Sequence, residues 1–524
     1  MIRNLLQLFF LYYTFYVFLA FSIAGIAWRA VKDYKSSASD LWERITVCTV
    51  SVLLCGGFSF LASYVSLVPK YGYRAEIAAV VLLSAVFFAL GAVSFRGLGI
   101  LYRKIRDGAL LNIIKENYVG LTVFIVFTLK FIIRTQKPDD WALWSYAVDY
   151  SIGFGPRFMI GTILSLLTHG APTAKAVLIF CTAAVLCMIA VISAVLNAVA
   201  KKADEKIRPA ILLFITSYVL SSGSIADFWC AVNFGRLDMY IFLITVLSVI
   251  AFQKTKNLYL RYLFLAVGCV LCNAIYQGFV FMFFSMTAIV ILCDILLSPE
   301  DKKKRILLGS LVVLAAGASF LVFQLYSTLK FETAEEMIRY LKSHTDIIIK
   351  EEAVTAEYFG TTGTLFGYVL KYFAEGKNLR ETFFVYFLFA APQVIVFARV
   401  FLNNGFRLPG KKGVNLSLLS LSTLMFLLPQ FLLNVDWGRW TMSGVTTVYF
   451  CIFYLSYIRE TSMTDALTAF SKELKEKPTG FVILLIYKSV FDVFAADIVT
   501  YDFPWILKRV ADVKDFLMGL LLPI

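Results

Sequence analysis

Three stretches of the sequence repeat one local pattern: an aromatic residue, a glycine, then an arginine directly or one residue later, with an aspartate close by. They are Asp149 with Phe154, Gly155 and Arg157; Phe234, Gly235 and Arg236 with Asp238; and Asp436 with Trp437, Gly438 and Arg439. Arginine offers a planar fork that takes phosphate or carboxylate through two parallel hydrogen bonds. Aspartate can accept a proton, hold a divalent cation or orient the arginine. Glycine lets the backbone turn tightly or approach a ligand. The combined chemistry is recognition of an anion beside a candidate base. Helix ends at a membrane boundary carry the same residue types for structural reasons, with arginines reaching for the interface and Gly and Asp making turns. What distinguishes these three is their recurrence, each beside Trp or Tyr.

Asp139 and Asp140 precede Asp149 in "KPDDWALWSYAVDYSIGFGPRF", so several carboxylates can converge within one loop. Adjacent acids can share a metal, and they are equally good turn residues. Tyr276 and Gln277, in "NAIYQGF", close an apolar run, where a polar pair needs a partner such as a sugar hydroxyl or a neighbouring helix backbone. Other chemistries lack their parts. His169 and His344 are the two histidines, and neither belongs to a metal-ligand cluster. No HxxxH, nucleophile elbow, P-loop or dinucleotide fingerprint falls in a supporting context. Cys269 and Cys272 form a CxxC inside an apolar run without a His or acid beside them, which reads as packing. Lys488 and Asp492, four residues apart, can pair on one helix face.

The elements that must position these residues follow from composition. Of 524 residues, 60% are hydrophobic and 16% charged, against roughly 45–50% and about 25% in soluble chains. The apolar residues come in runs of roughly twenty, enough for a helix to cross about 30 Å of hydrocarbon. The expected fold class is all-α: a polytopic transmembrane helical bundle of about fourteen spans, with interfacial helices in its outer loops. Spans are expected near 5–28, 45–67, 76–95, 118–134, 174–199, 209–222 and 239–253. The rest lie near 260–276, 278–297, 306–326, 381–402, 414–433, 441–457 and 478–497.

The net charge of +14 sits in short clusters between these runs. Examples are Lys201, Lys202, Lys206 and Arg208, and the run Lys302, Lys303, Lys304 and Arg305. Without a basic aromatic groove or recognition helix, they do not read as a nucleic-acid surface. Falling at alternate connections, they mark a cytoplasmic face attracted to anionic lipid. The other connections then face outward: 135–173, 223–238, 327–380 and 434–440. These carry all three arginine constellations. The segment "ETAEEMIRYLKSHTD" has helical patterning and is expected to form a small outer cap. The domain reading is a three-span module at 1–117, a core at 118–500 and a C-terminal interfacial segment at 501–524. Asn415-Leu-Ser forms a glycosylation sequon, but beside the basic Lys411 and Lys412. Without an outer sequon or organellar targeting, the expected location is a bacterial inner membrane.

The arrangement, with "DYSIGFGPRF" and "DWGRW" in outer connections, resembles the GT-C class of membrane glycosyltransferases and membrane proteins of envelope-polysaccharide clusters. The resemblance implies a sugar transferred from a polyprenyl-phosphate donor to an envelope glycan or lipid-linked acceptor. It makes Asp149 the base on the acceptor hydroxyl, with Asp139 or Asp140 as its rival or as a contact to Mg2+ or Mn2+. Arg157, Arg236 and Arg439 would clamp the phosphate. Asp238, Asp436, Gln277 and Trp437 would join them in substrate binding, and Trp141, Trp144, Trp229 and Trp440 would be further sugar platforms. Membrane lipid, the lipid-linked sugar and a glycan acceptor are the implied partners. An O-antigen-type polymerase or ligase would use the same face. A secondary transporter or flippase would instead place its polar site near the bilayer midplane.

Overall fold

The computed structural model describes residues 108–134, 138–168, 170–219, 233–298, 300–359 and 437–477, shorter stretches at 20–29 and 88–100, and isolated positions elsewhere. The described chain is helical apart from one pair of two-residue strands. Among the described residues, three helices are long and apolar enough to cross a membrane: Ala174–Lys202, Leu258–Ile275 and Lys302–Leu325. This is compatible with an all-α membrane protein. The expected spans at 381–402, 414–433 and 478–497 lie outside the described stretches.

The chain divides into two compact units, Met1–Tyr118 and Val119–Ile524. In the first, two helical segments approach through glycine. A Cβ on Gly25 would lie 2.0 Å from the Phe88 carbonyl oxygen, and one on Gly91 2.2 Å from that of Ser22. Small residues permit such close backbone contact, a common route to helix association where lipid removes the hydrophobic drive. Ile26, Val47, Cys55 and Phe95 form this unit's buried cluster.

Helix α1 (Ala109–Arg134) begins in the first unit, has a non-helical Asn117, and continues into the second from Val119. It is followed by α2 (Asp140–Leu143), a 3-10 turn at Trp144–Tyr146, strand β1 (Gly153–Phe154) and α3 (Phe158–Thr168). Helices α4 (Ala174–Lys202), α5 (Arg208–Val219), α6 (Asp238–Lys254) and α7 (Leu258–Ile275) come next. The expected span at 278–297 is two helices, α8 (Phe279–Met282) and α9 (Phe284–Leu297), parted at Phe283. Then come α10 (Lys302–Leu325), β2 (Thr328–Leu329), α11 (Ala334–His344) and α12 (Glu351–Val354), which runs into a π-helical turn at Thr355–Phe359. Helices α13 (Trp437–Tyr457) and α14 (Thr461–Glu476) complete the described elements.

Polar clamps fix the helices within their apolar packing. The Asn273 amide of α7 donates to the Ala316 carbonyl and the Ser319 hydroxyl of α10, both at 2.8 Å. Such interhelical bonds contribute about 0.6 kcal/mol each on average in a membrane, and they specify which faces meet. Ser217 of α5 and Tyr449 of α13 share a hydroxyl contact of 2.7 Å. At the basic ends, Asp294 of α9 pairs with Arg261 of α7 and Arg305 of α10 and accepts from the Tyr262 hydroxyl.

The segment 327–359 forms a cap over 138–174. Gly153 pairs with Leu329 and Phe154 with Thr328 in an antiparallel strand pair. A Cβ on Gly153 would lie 2.2 Å from the Thr328 carbonyl oxygen, so the approach requires glycine. The Asp346 carboxylate accepts from the Ala174 amide at 2.7 Å, and the Thr345 hydroxyl donates to the Pro172 carbonyl at 2.6 Å. Helix α11 forms within the cap because Thr333 caps its Glu336 amide while Ala334, Met337, Ile338 and Leu341 share a buried face.

Candidate functional site

The site is built around the place where α7 ends. Tyr276 takes an extended conformation there, and the backbone amide of Arg157 donates to the Ala274 carbonyl at 3.1 Å. One of the carbonyls left over at that helix end thereby gains a partner. It also holds the Arg157 cation at the negative end of the helix dipole. Arg157 has φ +77°, a left-handed conformation that a non-glycine residue adopts only when its surroundings enforce it. The sequence pattern had placed conformational freedom at Gly155, but the left-handed residue is the arginine itself.

Arg157 is 9% exposed. Its Nη1 pairs with Glu357 from the π-helical turn of the cap, and its Nε donates to Gln277 Oε1 at 3.4 Å. The guanidinium stands 4.8 Å from the Tyr276 ring centroid and 6.0 Å from that of Trp144. Burial opposes the cation, but Glu357 and then Tyr276 outweigh it, so the guanidinium stays charged. Tyr358, beside Glu357, donates its hydroxyl to the Pro156 carbonyl at 2.7 Å and packs edge-on against Trp144.

Arg439 reaches the same tyrosine from α13. Its Nη2 donates to the Tyr276 hydroxyl at 3.0 Å and its Nε lies 3.3 Å from Asp238 Oδ2. Trp440 backs it, with the guanidinium 4.9 Å from the ring centroid. Arg439 belongs to the first turn of α13, so the 434–440 connection gives way to helix by Trp437. A cation there opposes the helix dipole. Asp238, the first residue of α6 and itself 1% exposed, supplies the compensating charge.

Tyr276 therefore joins two buried arginines. Burial pushes its phenol up to about 12, against the pull of Arg439 and Arg157. It stays protonated at neutral pH, accepts from Arg439 and keeps its own hydrogen to give. The indole Nε1 groups of Trp144 and Trp440 are also buried and have no hydrogen-bond partner among the described residues. A buried donor without an acceptor costs about 1–3 kcal/mol, and such a deficit is relieved by a bound oxyanion.

Arg236 joins a neighbouring cluster. Its Nε pairs with Asp139, whose other oxygen accepts from the Trp141 amide at 3.2 Å and caps α2. Gly235, at φ +88°, presents its carbonyl to the Tyr146 hydroxyl at 2.6 Å, and Tyr146 meets Tyr240 at 3.0 Å. Asp140 starts α2 in the same turn.

Asp149 lies between the clusters in sequence. The Ser151 amide donates to its Oδ1 at 2.8 Å, and the Ser151 hydroxyl bonds the same oxygen. Its Oδ2 has no hydrogen bond among the described residues. Helix α3 supports this turn, since the Tyr150 amide donates to the Thr162 hydroxyl at 3.0 Å and Gly161 packs against the Val148 carbonyl. Asp436, the side chain of Trp437, Trp229 and His169 lie outside the described residues.

The structure thus brings together Arg157, Gln277, Arg439 and Asp238 around Tyr276, and pairs Arg236 with Asp139 beside them. Glu357 and Tyr358 are the members that sequence reading missed; their pattern within the cap carries no signal of its own. Trp144 and Trp440, each 1% exposed, back the arginines as buried walls and are not open sugar platforms. His344 bonds and stacks on Tyr340. No group of three or more His, Cys, Asp or Glu side chains able to hold a metal occurs among the described residues. With Asp139 held by Arg236 and the Trp141 amide, the described donor set does not fit Mg2+ or Mn2+. The cationic groups on hand are guanidiniums and the Lys350 ammonium, 4.4 Å from the Trp141 ring centroid.

No protein-family model, curated protein or solved structure matches the chain at a significant level.

Proposed function

We propose that this chain is a multi-pass membrane glycosyltransferase that moves a sugar from a polyprenyl-phosphate donor to a glycan or lipid-linked acceptor at the outer face of a bacterial inner membrane. About fourteen spans, as the apolar runs imply, belong to the same proposal. The observation that carries it is the pair of buried guanidiniums on one protonated tyrosine, walled by two tryptophans whose indole donors are unused. Fixed donors of this kind stabilise charge that develops on a departing phosphate and need no reorganisation during reaction.

In the proposed reaction the acceptor hydroxyl oxygen attacks the anomeric carbon. The bond from that carbon to the phosphate oxygen breaks, and the polyprenyl phosphate leaves with the electron pair. Asp149 takes the hydroxyl proton through Oδ2, while Oδ1 is held by Ser151. Arg157 and Arg439 receive the phosphate charge, and Gln277 and Tyr276 orient it. Asp238 holds Arg439 in place.

An O-antigen-type polymerase or ligase would use the same guanidiniums. The outer segment 327–363 is mixed in charge and not a cation-rich groove, which favours transfer of a single sugar. A transport reading would call for a polar site at mid-membrane, whereas the cluster gathers at the ends of α6 and α7.

The test incubates the purified protein with radiolabelled polyprenyl-phosphate sugars and candidate acceptors, comparing wild type with Asp149→Asn and Arg439→Lys. Transfer by wild type and a loss of about 10²-fold or more in each variant is expected. No transfer by wild type across the donor panel would overturn the reading.

A further inference from the structure

A second site of different character lies toward the basic ends of the helices. A cleft of about 230 Å³ runs between α4, α6 and α13. Its walls are apolar, including Val246, Val249 and Phe450, and it opens where α4 presents the small Ala194 and Ala198. Ala194 is exposed, so the opening faces the surroundings of the bundle. Val246 is eight residues beyond Asp238 along α6, about 12 Å at 1.5 Å per residue. The cleft is therefore separate from the arginine site.

One end of the cleft is polar and cationic. Lys254, the last residue of α6, lines it directly with Gln253 and Tyr457. Lys202, the last residue of α4, holds its Nζ 4.0 Å from the Tyr457 ring centroid. Neither lysine has a carboxylate partner among the described residues. Tyr454, 9% exposed, accepts from Gln253 Nε2 at 2.6 Å and retains its hydroxyl hydrogen for a further acceptor.

We infer that this cleft binds an anionic diacyl phospholipid, with one acyl chain between α4 and α6, the headgroup phosphate on Lys254 and Lys202, and an ester oxygen on Tyr454. Charge complementarity selects an anionic headgroup: two unneutralised ammonium groups border an apolar slot, the arrangement that attracts anionic lipid at a membrane surface. A polyprenyl phosphate fits less well, because it carries no acyl ester oxygen for the Tyr454 hydroxyl. The inference stands independently of the transferase reading.

The full-length protein, reconstituted in nanodiscs, is photolabelled with phosphatidylglycerol carrying a diazirine on one acyl chain, and the adducts are mapped by mass spectrometry. Phosphatidylcholine with the same chain is the control. Expected are adducts on 194–199 and 246–250, at least fivefold more abundant with phosphatidylglycerol. Ala198→Trp fills the slot and removes them. Lys254→Glu, which leaves the slot intact, lowers phosphatidylglycerol labelling toward the phosphatidylcholine level. Competition by unlabelled phosphatidylglycerol on wild-type protein reports the same site without a substitution. The inference is overturned by equal labelling with both lipids, by adducts absent from these segments, or by polyprenyl phosphate competing better than phosphatidylglycerol.

Discussion

Two clusters of buried charge lie at opposite ends of α7, and both join arginine, carboxylate and tyrosine. At the basic ends, one carboxylate meets two arginines: Asp294 takes Arg261 on Oδ1, and Arg305 and the Tyr262 hydroxyl on Oδ2. Its acceptors are used, and the network ties α7, α9 and α10 together. At the other end, Arg157 and Arg439 have separate carboxylates, Glu357 and Asp238, and share one tyrosine. There the contacts to Gln277 and Asp238 are long, one residue is left-handed, and two indole donors remain unused. The first cluster is closed and braces the bundle. The second retains two indole donors with no acceptor among the described residues.

The largest expected effect tests the closed cluster. Asp294→Ala leaves two arginines without their carboxylate and should cost about 3–5 kcal/mol of stability, read as a lowered melting temperature in detergent. Anion affinity of the molecules that remain folded should be unchanged. If Asp294→Ala melts like wild type, the division between brace and site is wrong. Next is Arg439→Lys, which keeps the charge and loses the fork. Transfer should fall about 10²–10³-fold with little change in melting; a large melting shift with undiminished transfer would make Arg439 a brace as well.

Glu357→Gln separates the two ends more finely. Removing the cap carboxylate frees Arg157 for a ligand, and binding of a polyprenyl phosphate should tighten about fivefold, or about 1 kcal/mol. Weaker binding would mean that Glu357 chiefly positions the arginine. The pH dependence of stability should be smaller still. Tyr276 is raised from 10.0 to about 12, so the folded chain keeps a proton that the unfolded chain loses first. Its contribution is present below pH 10 and is lost as pH rises toward 12. Tyr276→Phe should flatten that part of the alkaline melting profile and leave neutral pH unaffected. An unchanged alkaline profile would contradict the buried, protonated phenol. Least sensitive is Arg236→Lys, because a lysine can still neutralise Asp139; transfer should stay within about threefold.

The arginine constellations were legible because their residue types and spacing recur in a sequence otherwise poor in charge. Glycine was a weaker guide. Gly235 does take a positive φ, whereas Gly438 lies within a helix and Arg157 itself carries the left-handed turn. The cap helix was visible from its capping residues and apolar face, but the strand pair at Gly153–Phe154 and Thr328–Leu329 is too short to leave an alternation in sequence. Glu357 was hidden for a related reason: one glutamate among several in an amphipathic segment acquires meaning only from the arginine opposite it.

By itself the sequence determined that long apolar runs dominate this chain, and three of the described helices are long and apolar enough to cross a membrane, where a helix satisfies its backbone internally. It also determined that the few charged residues away from the basic clusters would be exceptional. Which of them meet was decided by the tertiary structure. Residues 157, 276, 357 and 439 come together because α7 ends where the 138–174 loop docks, the cap closes over that loop, and α13 begins at the same level. Those contacts span more than two hundred and eighty residues, from Arg157 to Arg439, and no local pattern encodes a distance of that kind.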